Sequence, residues 1–103
     1  MTKENDIIKE LSSIIKNRID ILPDNSYVAK ISKKGKVKVA NKFGEEAFET
    51  VAAFLSEGDE ELKEEVADLV FHLLILLEHS NVEWNDVLTT LKKRMKNDWY
   101  NFL

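Results

Sequence analysis

The sequence predicts an all-α domain of four to five antiparallel helices, with a bundle-like core completed by homodimerisation. Three observations predict it. Apolar residues recur at helical spacing along almost the whole chain. The breaks between periodic stretches are short, so sequential helices should be antiparallel neighbours. Residues 69–77, LVFHLLILL, are apolar nearly all round, and such a helix is buried all round. A 103-residue chain with so few helices has trouble covering every side of that run. A second copy packed through the fourth helix would supply the cover.

The elements follow in order. Ile7, Ile8, Leu11, Ile14 and Ile15 form one stripe of a first helix, stopped by Pro23 and the polar Asp24-Asn25-Ser26. Ser26 can cap a short second helix beginning near Tyr27, and Gly35 can end it. Lys36-Val37-Lys38-Val39 alternates like a strand but has no partner strand, so it is read as the start of a third helix. That helix is expected to run to about Ser56. Gly58 marks the stop, and Asp59 is the expected N-cap of a fourth helix running to about His79. Asn81 suits a left-handed turn. A fifth helix starts near Trp84, with Trp84, Leu88, Leu91 and Met95 on one stripe.

Composition excludes several function classes. Residues 1–103 are expected to form one domain. Fifteen Lys and Arg against nineteen Asp and Glu give a net charge of -4, which argues against a nucleic-acid binder. The chain has no cysteine, which removes a disulfide scaffold, a Cys-ligated zinc site and a thiol nucleophile. The opening MTKENDIIKE is charged and no signal-peptide stretch follows it. The longest near-apolar run, residues 66–77, is too short to span a bilayer and contains Asp68 and His72. The expectation is a soluble cytoplasmic protein with no membrane partner.

The charge is segregated. Residues 25–44 hold no acid but six lysines: Lys30, Lys33, Lys34, Lys36, Lys38 and Lys42. Residues 45–68 hold ten acids and one lysine, Lys63. Each block alone is the usual solvated helix face. Together they suggest a positive surface for phosphates beside a negative pocket for cations. Lys42, Glu46, Glu49 and Ala53 fall in a sector of about 60° on the third helix. Glu61, Glu65, Asp68 and His72 share a face of the fourth. Around Gly58, Glu49 and Glu65 sit at similar heights, so the Glu46/Glu49 and Glu65/Asp68 pairs can face each other.

Four such carboxylates repel one another, and Asp68, at the head of the apolar run, is expected to be partly buried. Raised pKa values, lysine partners or a divalent cation would relieve the conflict. Acidic helices produce this spacing by chance. The expected burial of Asp68 and the lysines upstream favour the cation. All-oxygen ligands favour a hard ion such as Mg²⁺, which leaves coordination sites for water and phosphate.

These residues also resemble a known family. Glu45-Glu46-x-x-Glu49, fifteen intervening residues and Glu65-x-x-Asp68 match the EExxE…ExxD motif of the MazG-like all-α nucleotide pyrophosphohydrolases. Ser26-Tyr27-Val28-Ala29-Lys30, Lys42-Phe43-Gly44-Glu45-Glu46-Ala47 and the ADLxxHLLxLL helix at residues 67–77 resemble the phosphoribosyl-ATP pyrophosphohydrolases of histidine biosynthesis. Val28 stands where that family often has threonine, and Asn41 where it often has lysine. The tail at residues 97–103 is outside the pattern. The resemblance implies hydrolysis of phosphoribosyl-ATP to phosphoribosyl-AMP and pyrophosphate. It assigns Mg²⁺ to Glu46, Glu49, Glu65 and Asp68. Glu45 either binds a second ion or orients the attacking water. Lys30 and Lys42 are the candidate phosphate contacts, and Ser26 and Tyr27 candidate nucleotide contacts. His72 is read as a satisfied core histidine rather than a catalyst.

Two alternatives stand beside this reading. One is a house-cleaning nucleoside triphosphate pyrophosphohydrolase with the same metal site. The other is a non-enzymatic helical dimer that binds a partner through Trp99, Tyr100 and Phe102.

Overall fold

The computed structural model describes residues 3–103, and residues 1 and 2 of the expected domain lie outside that range. A turn of 3₁₀ helix at Glu4–Asp6 leads into five α-helices: α1 Ile7–Ile21, α2 Tyr27–Lys33, α3 Lys36–Ser56, α4 Asp59–Glu78 and α5 Trp84–Asn97. Among the described residues there is no strand. Lys36-Val37-Lys38-Val39 forms the first turn of α3, as the missing partner strand implied.

Each break has a local cause. Leu22 adopts a left-handed conformation (φ 55°) and closes α1 with a bond from its N–H to the Arg18 carbonyl, just before Pro23. The Ser26 hydroxyl caps α2 by accepting from the Ala29 N–H at 3.2 Å. At the α3–α4 turn the N-cap is Gly58 rather than Asp59. Its φ of 109° lies where a side chain is strained, so glycine takes the cap and Asp59 moves into the first helical turn. There Asp59, Glu60 and Glu61 complement the helix dipole. Asn81 (φ 57°) ends α4, with the Val82 N–H reaching back to the Leu77 carbonyl at 3.2 Å. Glu83 and Asp86 form a reciprocal capping box at the start of α5.

The core lies between α1, α2, α3 and α4. Ile15, Val28, Ile31, Val39, Leu74 and Ile75 form one buried cluster, with Trp84 packed at its edge. α3 and α4 make the most extensive helix pair and define the long axis of the site. The run at residues 69–77 is only partly covered by its own chain. His72, Leu74 and Ile75 are buried, and the residues around them are half-buried.

Bare apolar side chains lie on α3. Phe48, Phe54 and Leu55 are 74%, 72% and 73% exposed, and Val51 of the same helix is exposed too. On α5 only Trp84 of the expected stripe packs on the core, while Leu88, Leu91 and Met95 stay exposed. The tail folds back through the Trp99 N–H on the Arg94 carbonyl, and the Arg94 guanidinium lies 5.7 Å from the Trp99 ring centre. No helix among the described residues is long and apolar enough to cross a membrane.

Leu74 anchors the core at 1% exposure. Leu74→Ala is expected to lower the unfolding free energy by about 3 kcal/mol, read from the denaturant midpoint. A loss below about 1 kcal/mol would show that the site collapses without a cavity.

Candidate functional site

The hairpin of α3 and α4 brings carboxylates from two helices to one place. Glu46, Glu49 and Glu65 each place an oxygen within 4.8 Å of the other two. Glu46 and Glu49 are one turn apart on α3, and Glu65 faces them from α4. The Thr50 hydroxyl stitches the helices at this level. It lies 2.8 Å from the Glu46 carbonyl and 3.3 Å from the Glu65 carbonyl. Thr50 was not among the residues singled out from the sequence. Its position four residues after Glu46 was the only sequence signal.

The cluster is electrostatically frustrated. One carboxylate oxygen of Glu46 and one of Glu65 are buried with no hydrogen-bond partner. An unpaired buried carboxylate oxygen is costly. Desolvation, reinforced by Glu49 and the charges of Glu46 and Asp68, pushes the Glu65 carboxyl up to about 7. Desolvation and the neighbouring Glu49 charge likewise raise the Glu46 carboxyl. Three oxygen donors at this spacing, two with orphaned atoms, fit a hard divalent cation.

Asp68 differs from expectation. Its carboxylate is exposed and stands apart from the trio, although its charge acts on Glu46 and Glu65. Asp68, His72 and Ile75 share one stripe of α4, and burial rises along it from exposed to complete. Asp68 sits at the exposed end of that stripe. Glu61, one turn before Glu65, is exposed.

The cationic side adjoins the groove. The Lys42 ammonium donates to Glu45 at 2.9 Å. That bond lowers the Glu45 carboxyl and raises the Lys42 ammonium, so both stay charged. Tyr27, from the start of α2, lies within reach of the Lys42, Glu45 and Glu46 charges, and desolvation raises its phenol. Its hydroxyl is 2.8 Å from His72 Nε2. Lys30 is exposed on α2, and the Ser26 hydroxyl is occupied by its cap. The structure thus gathers Tyr27, Lys42, Glu45, Glu46, Glu49 and Glu65, and leaves Lys30 and Asp68 at the solvent edge.

A family model described as phosphoribosyl-ATP pyrophosphohydrolase matches residues 8–95. The chain is 48% identical over 91 residues to the phosphoribosyl-ATP pyrophosphatase of Metallosphaera sedula, covering 88% of this chain and 98% of that one. It is 46% identical over 92 residues to the protein of that name from Saccharolobus solfataricus, covering 89% and 98%. It is 46% identical over 94 residues to the one from Paramagnetospirillum magneticum, covering 91% and 86%.

The raised carboxyls predict an unusual pH response of the metal-free protein. Unfolded, Glu65 releases its proton near 4.5; folded, it holds the proton to about 7. Across that window the folded state binds more protons, so stability falls as pH rises. Glu46 acts in the same direction. Glu45, lowered below 4.5, adds no slope in that window. Thermal melts in chelator should show this decline, and Glu65→Gln should flatten it. A stability that rises through the window would contradict the clustered geometry.

Proposed function

The chain belongs to the phosphoribosyl-ATP pyrophosphohydrolase family, and we propose that it hydrolyses phosphoribosyl-ATP to phosphoribosyl-AMP and pyrophosphate, the second step of histidine biosynthesis. One observation carries the reading: two orphaned carboxylate oxygens inside a three-glutamate cluster, next to a lysine held at its rim. The whole chain would act as a single cytoplasmic domain on a small nucleotide.

Glu46, Glu49 and Glu65 would hold Mg²⁺, with Asp68 completing the set from the exposed end of its stripe on α4. The ion would supply neutralisation of phosphate charge and polarisation of the phosphoryl oxygen. Lys42 would contact the substrate phosphates as a compact positive charge, and Lys30 would extend that contact at the solvent edge. Glu45 stays ionised beside Lys42, so its carboxylate can accept a hydrogen from the attacking water and aim it. Tyr27 borders the groove where the nucleoside would lie, and Ser26 fixes the start of α2 beneath it.

A homodimer completes the picture. Phe48, Val51 and Leu55 share a sector of about 60° on α3 and are exposed in the single chain. They lie on the face of α3 opposite Glu46 and Glu49, so a partner covering them would leave the carboxylate groove open. Burial of such a stripe is worth about 25 cal/mol per Å².

Three measurements test this reading. Pyrophosphate release from phosphoribosyl-ATP should require Mg²⁺ and exceed release from a panel of deoxynucleoside triphosphates. Equal turnover across the panel would favour the house-cleaning alternative. Glu49→Gln should cut turnover on the order of a hundredfold or more, while stability without metal holds or rises as repulsion is relieved. Near-normal turnover would remove Glu49 from the ligand set. Leu55→Glu should leave the chain folded and halve its mass by light scattering. A wild-type protein that is monomeric at micromolar concentration and fully active would overturn the dimer.

A further inference from the structure

His72 is the one buried polar side chain among the described residues, at 6% exposure. Both ring nitrogens are engaged. Nδ1 lies 2.7 Å from the Asp68 carbonyl, and Nε2 lies 2.8 Å from the Tyr27 hydroxyl. The ring is clamped edge-on by Tyr27 and Phe71, with centroids at 5.6 and 5.1 Å. A carbonyl oxygen only accepts, so Nδ1 carries the proton. In the neutral imidazole Nε2 is then an acceptor. The Tyr27 O–H therefore donates to His72.

This has a consequence on the groove side. A free phenol beside Glu45 and Glu46 would donate to a carboxylate. Tyr27 has its only proton committed to His72, so its oxygen can offer nothing but lone pairs. Lys42, which bonds Glu45 at 2.9 Å, is the cation whose charge acts on the Tyr27 phenol. Hydrogen bonds thus run from the α4 backbone through His72 to Tyr27 on α2, and the Tyr27 phenol interacts electrostatically with the Lys42–Glu45 pair on α3.

We propose that His72 is a positioning residue: by accepting the hydrogen bond of the Tyr27 hydroxyl it leaves Tyr27 an acceptor that, together with Glu45, fixes the Lys42 ammonium at the mouth of the carboxylate groove. This rests on the proposed reaction for its kinetic consequences and on the apo geometry for the network itself. Fixing Lys42 lowers the ordering needed when phosphates bind, so the effect falls on KM rather than on kcat or Mg²⁺ activation.

The test uses conservative variants. Tyr27→Phe keeps the ring and removes the oxygen. His72→Asn keeps a donor at the Nδ1 position and loses the contact to Tyr27. His72→Gln places an amide oxygen at the Nε2 position and restores an acceptor for the Tyr27 proton. Tyr27→Phe and His72→Asn should each raise KM roughly tenfold with kcat little changed. His72→Gln should recover most of that loss. In a Lys42→Ala background, Tyr27→Phe should cost nothing further.

A second measurement is independent of turnover. Nitrogen-15 NMR of the histidine rings of the wild-type protein, above neutral pH, should report His72 as the Nδ1–H tautomer. An Nε2–H tautomer, additive losses with Lys42→Ala, or a loss confined to Mg²⁺ activation would overturn the inference. A wild-type protein that shows the Nδ1–H tautomer yet releases no pyrophosphate would sink the proposed reaction and leave the network standing.

Discussion

The constraint on which the site depends is the mutual repulsion of Glu46, Glu49 and Glu65 across the α3–α4 hairpin. Like charges within 4.8 Å of one another, two of them with orphaned buried oxygens, do not stabilise a fold. The chain tolerates them because the hairpin is held elsewhere. Leu74 and Ile75 anchor α4 in the core, Val39 anchors the start of α3, and the Thr50 hydroxyl bridges the helices beside the acids. The raised Glu65 and Glu46 carboxyls show how the metal-free protein relieves the conflict: by protonation. A bound divalent cation would relieve it without protonating the acids.

The basic side is arranged with as much restraint. Of the six lysines in residues 25–44, Lys42 is the one bound to an acid at the groove, through Glu45. Lys33 reaches Asp24, just before α2, at 3.7 Å. The positive surface thus has one ammonium paired at the groove, with the other lysines of the block outside it.

Most of the fold was legible because its signals are local. Ser26, Gly35, Pro23 and the stripe from Ile7 to Ile15 set helix boundaries through capping and periodicity, which act over a few residues. The Glu46/Glu49 pair facing Glu65 was legible too, because a hairpin of two regular helices turns sequence offsets into heights. Side-chain burial was less so. Asp68 was expected to be partly covered, but burial along its stripe begins one turn later, at His72, and only packing from other helices decides where. Gly58 took the cap from Asp59 because the turn needs a positive φ, which cap preference alone does not reveal. The Tyr27–His72 bond joins residues 45 apart in sequence, and nothing local marks it. The apolar run at residues 69–77 pointed to a missing partner, yet a bare apolar stripe lies on α3, whose interleaved charges hid it.

The central claim is that the carboxylate cluster is a divalent-cation site whose frustration the ion relieves. Calorimetric titration of the metal-free protein with Mg²⁺, just below pH 7 and in two buffers of different ionisation heat, tests it most directly. With Glu65 holding its proton to about 7, binding should be saturable and release protons to the buffer. Absence of saturable binding, or binding with no proton release at that pH, would contradict it.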